Sequence, residues 1–406
     1  MPQALDGVTV LDLTHYIAGP YCTKLLADYG AEVIKVERPG CGDPTRRLGP
    51  FLDDEPDPET SGLFLHLNTN KKSITLNLKT VQGKAMLKML VRTADIVVEN
   101  FHPRVLPSLG LDYEALFQVN PRLTMTSISN FGHTGPYRDY KMTEIVAYAM
   151  GGVMQATGMP DREPIKLALT VQQFFAGNVA ATATLGAYIG AQLHGEGQQL
   201  DLAIMEIEVG NQDRGISNLA CYQYSGEPTF RRMRENLRNI LPNGVFPTSD
   251  GYVQFAGTQP AWWERVCLMI DRPELAQDPH FVEPESFYQN AERKQEVDAL
   301  LLDWTMRHTK REAMEIGQRF GYLTGALNTM EDVFADPHLA ARGFFVETDH
   351  PKAGRLKYPG PQFNMAETPW RAGRAPLLGE HNREVFRDKL GYSDQDLVLL
   401  RQQGVI

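Results

Sequence analysis

The sequence predicts an α/β protein whose main body is a Rossmann-like parallel sheet covered by helices on both faces. Three observations predict it. A complete strand–helix–strand unit can be read between residues 8 and 37. Strand and helix patterns go on alternating well beyond it. The chain has 406 residues with 42% hydrophobic and 22% charged side chains, which suits a soluble protein of two domains.

In chain order, "VTVLDLT" is a strand, "HYIAGP" a turn, "YCTKLLADYG" a helix closed by Gly30, and "AEVIKVE" the second strand. A third strand follows in "KSITLNL", then a helix in "VQGKAMLKMLVRT", a strand in "DIVVENF" and another around "LTMTSIS". From Phe174 to Leu193, Ala, Leu, Ile and Gly recur at helical spacing with no charge between them, so this helix is expected to be buried. Two neutral amides, Gln172 and Gln173, stand at its threshold. A polar side chain there must find hydrogen-bond partners or face a cleft. Near Ser225 the character changes, and "GEPTFRRMRENLRNILPNGVFPTSDG" mixes turn signals with charge. A domain boundary is placed there. Short strands such as "GYVQFAG" and amphipathic helices such as "AERKQEVDALLLDWTMRH" then suit a smaller α+β domain. The expected organisation is residues 1–225, 226–328 and 329–406.

The net charge of -10 argues against a nucleic-acid partner or an anionic membrane surface, each of which needs a basic face. The start "MPQALDGVTVLDLT" lacks a basic segment followed by an apolar one, and no apolar run reaches membrane-spanning length, so a cytoplasmic protein is expected. Cys22, Cys41, Cys221 and Cys267 show no CxxC pair and no zinc-ligand spacing, so no metal or redox cofactor is expected and the thiols read as reduced. Phe174, Phe175, Trp262 and Trp263 read as core packing, with an aromatic pocket as the alternative.

Candidate ligand-binding residues gather early in the chain. "THYIAGP" stands where a nucleotide fold places its phosphate loop, but lacks G-x-G-x-x-G. The second strand ends in "VERPG", where Glu37 could meet a ribose hydroxyl and Arg38 a phosphate on that ribose, as in NADP or coenzyme A. Arg46, Arg47, Lys71, Lys72 and Arg104 also fall in loops or at strand starts. Together, in an acidic protein, they suggest a polyphosphate ligand; surface solubility is the other reading. "SISNFGHTGPYRDY" is a strand end followed by a loop in which Gly132 and Gly135 permit close approach of a ligand, with His133 read as a polar loop residue rather than a base.

Eight segments in order, "VTVLDLTHYIAGP", "LLADYGAEVIKVERPGCGDPTR", "NTNKKSITLNL", "ADIVVENFHP", "LGLDYEAL", "FGHTGPY", "AMGGVMQATG" and "RAPLLGEHNREV", resemble the class III coenzyme A transferases, the CaiB/BaiF type that includes formyl-CoA transferase. The resemblance covers nearly the whole chain. It implies an interlocked dimer with a large domain built from both termini and a smaller one between. It also implies acyl-CoA and a carboxylic acid as substrates, with a CoA site at His15, Tyr16, Ala18, Arg38, Lys72, Asn100, Phe101 and Arg104.

The resemblance also gives the two glutamines a meaning. Relatives carry an aspartate four residues before the glycine of "AG", and that carboxylate attacks the acyl-CoA thioester to form a mixed anhydride. Here Gln173 occupies its place, and an amide is no nucleophile. Glu144 in "KMTEIVAYAMGG" is the remaining carboxylate candidate, with a structural role at a helix start as the alternative. The glycine-rich active-site loop of formyl-CoA transferase has no counterpart in "NILPNGVFPTSDG". Racemase chemistry on this fold is disfavoured, because Thr143 and Gln173 stand where those enzymes place His and Asp. Three readings follow. The chain is the aspartate-lacking subunit of a heteromeric, benzylsuccinate-type transferase; or a self-sufficient acyl-CoA enzyme using Glu144 or His133; or a non-catalytic acyl-CoA-binding module.

Overall fold

The computed structural model describes residues 2–159, 161–211, 213–226, 240–257, 259–283 and 290–406. Most of the charged boundary stretch after Ser225, residues 227–239, lies outside them. The chain divides into two compact units, one of residues 1–157, 164–229 and 343–406, the other of 158–163 and 230–342.

The first unit holds six strands: β1 (Thr9–Asp12), β2 (Glu32–Glu37), β3 (Lys72–Thr75), β4 (Ile96–Glu99), β5 (Thr124–Ser129) and β6 (Gln199–Ala203). All pairings are parallel and the order is β3-β2-β1-β4-β5-β6. The chain runs outward from β1 to β3, then returns to lay β4 against the other side of β1. That reversal opens a crevice beyond the carboxyl ends of β1 and β4, where open α/β sheets bind their ligands.

Alternate residues of each strand feed opposite faces. Leu11, Ile34 and Val97 face helix α2 (Val81–Val91) and the C-terminal residues Phe386 and Leu400. Val10, Val33 and Val98 face helices α1 (Ala18–Asp28) and α4 (Val171–His194). Helix α3 (Glu144–Met150) precedes α4, and α5 (Ile204–Asn211) follows β6. The C-terminal stretch also blunts the exposed edge of β3: Ser73 and His381 exchange hydrogen bonds, and Asn382 Oδ1 accepts from Thr75 N–H at 2.8 Å.

α1 and α4 meet closely because α4 carries glycine there. A Cβ on Gly177 would lie 2.8 Å from the carbonyl oxygen of Ala18 and 2.9 Å from the Tyr21 ring. Gly177→Val is therefore expected to cost about 1–3 kcal/mol in urea unfolding. Unchanged stability would refute the close packing.

The second unit contains an antiparallel sheet of β7 (Asn243–Pro247), β8 (Tyr252–Ala256) and β9 (Thr324–Ala326), with helices packed around Phe255, Trp263, Leu301 and Tyr322. Trp263 is buried and donates to the Leu275 carbonyl at 2.9 Å, and Trp262 packs against the same core. In the first unit, Phe174 packs edge-on against Tyr21 at 4.8 Å and Phe175 against the α1–α4 core. All four aromatic residues serve packing. Cys22 and Cys267 are buried, Cys41 is partly exposed and Cys221 exposed, all as free thiols.

Candidate active site

The crevice is shaped by the loop after β1. The side chain of Asn100, at the end of β4, closes a reciprocal pair with His15: His15 N–H donates to Asn100 Oδ1 at 2.8 Å, and Asn100 Nδ2 donates to the His15 carbonyl at 2.7 Å. The amide thus continues the sheet's hydrogen bonding across the reversal point. The His15 ring lies edge-on to Phe101, centroids 5.2 Å apart, and burial followed by the charge of Lys35 lowers its pKa below the usual value. It is therefore neutral at pH 7.

Tyr16 has φ of +64°, a left-handed conformation that non-glycine residues seldom adopt. Asp43 Oδ1 accepts from its backbone N–H at 3.3 Å, while its ring, 54% exposed, reaches into the crevice. Beneath lies a buried charge network. Asp12 accepts from Thr14 N–H at 2.9 Å, Thr14 Oγ1 at 2.5 Å, Thr23 Oγ1 at 2.7 Å and Lys71 Nζ at 2.9 Å. Lys35 bonds the Thr14 carbonyl and Asp43, both at 2.9 Å. Burial alone would raise the Asp12 carboxyl, but Lys35 and Lys71 hold it well below its ordinary value. Burial pushes Lys71 down to about 8, against the pull of Asp12. The strained turn is held from below by these groups.

The cavity at this crevice has a volume of about 540 Å³. Tyr16, Asn100 and Phe101 line one side, and Gln173 and Glu144 line it as well. α4 begins at Val171, three residues earlier than its apolar pattern suggests, so Gln172 and Gln173 sit in its first turn. No local side chain caps it; Glu144 does, accepting from the Gln172 N–H at 2.8 Å with Oε1. The other oxygen, Oε2, is buried and has no hydrogen-bond partner among the described residues. Glu208 on α5 is fully buried with both carboxylate oxygens in the same condition. Burial, with the charge of Glu144 added, pushes Glu208 up to about 7.

Several cations grouped in the sequence as phosphate ligands have other roles. Arg46 is fully buried, forks onto Glu37 at 2.8 Å, meets Glu59 at 2.7 Å and lies over the Phe64 ring. Arg46 is thus structural, and Glu37 is occupied by it rather than open to a ribose. Lys71 belongs to the buried network. Lys72 starts β3, at the end of the sheet opposite the crevice, and pairs with Glu32 and Glu384 at 2.6 Å each. Arg38 is exposed at the carboxyl end of β2, and Arg47 is exposed beyond it. Arg104 is exposed and grips Asp139 at 2.7 and 2.5 Å. Ala18 is buried in the first turn of α1.

The structure thus brings Tyr16, Asn100, Phe101, Glu144 and Gln173 to one cavity, holds His15 just behind it, and leaves Arg38, Lys72 and Arg104 outside its lining. Gly132 and Gly135 both have positive φ, as the turn after β5 requires, and His133 donates its N–H to Asp201, away from the cavity. Residues that the sequence did not single out also line it, among them His102, Arg138, Tyr140 and Thr170. "GPYRDY" carried the signal, a charged and aromatic cluster just past a strand's carboxyl end. Among the described residues no cluster of metal-ligating side chains occurs, and no helix is long and apolar enough to cross a membrane.

Comparison with known proteins covers almost all of the chain. Residues 5–382 match CoA-transferase family III. The chain is 36% identical over 414 residues to a succinyl-CoA–D-citramalate CoA-transferase of Chloroflexus aurantiacus, covering all of this chain and 98% of that one. It is 35% identical over 390 residues to a succinate–glutarate CoA-transferase of Agrobacterium fabrum, covering 95% of each. Among solved structures, a CAIB/BAIF family protein from Brucella suis superposes with a TM-score of 0.82 at 31% identity, covering 96% of this chain and 100% of that one.

Proposed function

The chain belongs to CoA-transferase family III, and from that premise we propose that it is the subunit lacking the nucleophile in a heteromeric, interlocked CoA-transferase. It binds an acyl-CoA in the crevice between β1 and β4, and a homologous partner bearing an aspartate forms the covalent intermediate. The observation that carries this reading is that Gln173 lines the cavity, at the position to which the family resemblance assigns the attacking aspartate. The CoA moiety lies along His15 to Ala18 and Asn100 to Phe101. Arg38, exposed at the carboxyl end of β2, meets its phosphates. The related enzymes take their names from short dicarboxylates, succinate and glutarate among them, and acids of that kind are the acyl groups we assign.

The amide suits binding. Gln173 Nε2 donates a hydrogen bond to a thioester or carboxylate oxygen, yet its own oxygen does not attack, because the nitrogen lone pair is delocalised. One observation favours a second reading, in which the chain works unaided. Glu144 lines the same cavity and keeps one buried oxygen that no described residue satisfies. The two readings separate in one assay: the chain purified alone, with succinyl-CoA as donor and short dicarboxylates as acceptors. No transfer, and no change on Glu144→Gln, supports the partnered subunit. Transfer that Glu144→Gln abolishes would put the nucleophile in this chain.

A further inference from the structure

We propose that Arg138 selects the acyl group by pairing with the far carboxylate of a dicarboxylic substrate, an inference that rests on the transferase reading above. Among the described residues lining the cavity, Arg138 supplies the single guanidinium and no lysine is present; Glu144 supplies the single carboxylate, and His102 is the single histidine. The neighbour that would neutralise Arg138 is already engaged. Asp139 is held at both oxygens by the fork of Arg104, at 2.7 and 2.5 Å, whereas Arg138 approaches it only at 3.5 Å. The Arg138 side chain remains 37% exposed. A guanidinium at a cavity wall, incompletely paired, is a site for an anion.

Its loop is packed through aromatic rings. Tyr137 and Tyr140, which flank Arg138, stack on each other at 5.0 Å, and both meet the Phe131 ring edge-on at 5.9 and 6.2 Å. Phe131 is itself buried against the end of β5. The loop therefore presents its arginine from a braced aromatic platform, as a specificity contact requires. Two anions could use it, a substrate carboxylate or a coenzyme A phosphate. A carboxylate is favoured by place and by number. Arg138 shares the cavity with Gln173, at the reacting end, and one planar fork matches one carboxylate, while a dianionic phosphate draws on several cations.

The test compares binding of three ligands, CoA, butyryl-CoA and succinyl-CoA, to the full-length protein and to Arg138→Gln, by calorimetry, together with any subunit that copurifies. Butyryl and succinyl groups have the same chain length and differ in the far carboxylate. The expected result is a loss of about ten- to a hundredfold in succinyl-CoA affinity, with CoA and butyryl-CoA unchanged. Arg138→Lys should recover part of the loss. An equal loss for all three ligands would assign Arg138 to a CoA phosphate and overturn the proposal, as would no loss for any. A wild-type protein that binds none of the three overturns the transferase reading itself, and this inference with it. Thermal melting of each variant separates a folding defect from these outcomes.

Discussion

Gln173→Asp is expected to convert the isolated chain from one that forms no covalent intermediate into one that does. With succinyl-CoA, the new carboxylate attacks the thioester carbonyl, the carbon–sulfur bond breaks, and CoA thiolate leaves behind a mixed anhydride. The thiolate then attacks the side-chain carbonyl at position 173, releasing succinate and leaving CoA bound as a thioester. Hydroxylamine should trap this species as a hydroxamate at that position, read by peptide mass spectrometry. The expectation is large because the rest of the cavity is built. Tyr16 and Asn100 line it, Glu144 fixes the first turn of α4, and the helix dipole there favours a carboxylate anion. No adduct, from a variant that still binds the thioester, would mean that the cavity does not present the carbonyl to position 173.

The second large effect is expected at the buried network under the crevice. Asp12→Asn should lower stability by about 3–5 kcal/mol near neutral pH, because it leaves Lys35 and Lys71 buried with less compensation. Its pH dependence has a definite sign. The folded-state pKa of Lys71, about 8, lies below its ordinary 10.5, so across that window the unfolded chain holds more protons and stability rises with pH. Without the Asp12 carboxylate, which raises it, the Lys71 pKa falls further, and the window opens below pH 8. Urea unfolding at pH 6 and pH 9 should therefore show the variant recovering part of its deficit at the higher pH, at up to about 1.4 kcal/mol per pH unit. The Asp12 carboxyl in the parent is depressed, so its contribution is present above its ordinary pKa of 3.8 and is lost as pH falls through the folded value. A deficit that does not change with pH would show that Lys71 is not the group left exposed to the loss.

What could be read from the sequence follows from how local each cause is. The central strands declare themselves in "VTVLDLT", "AEVIKVE" and "DIVVENF", because a strand covered on both faces is apolar on both, and the resulting parallel sheet is the one observed. The start of α4 was not legible: its cap, Glu144, stands 28 residues earlier in the chain, and the apolar pattern begins only after the two glutamines. The cations divide for the same reason. Arg46 and Arg38 look alike in a loop-rich stretch, but Arg46 is enclosed by Glu37, Glu59 and Phe64, contributed by separate segments, while Arg38 faces water. Lys72 adjoins Lys71 in sequence, yet Lys71, just ahead of β3, enters the buried network, while Lys72, the first residue of the strand, joins an ion-pair cluster with Glu32 and Glu384. Gln173 could be singled out because the family resemblance implies an aspartate at its place. Arg138 could not, because its importance comes from Arg104 having taken Asp139, a relation visible only when the loops after β4 and β5 are brought together.

The central claim, that this chain holds the acyl-CoA and a sibling performs the attack, is tested most directly by native mass spectrometry of the untagged protein from the cells that make it. The account predicts a complex containing a second chain of similar size in equal amount, whose sequence has an aspartate in the position that Gln173 occupies here. A complex made solely of copies of this chain, active in CoA transfer, would contradict it.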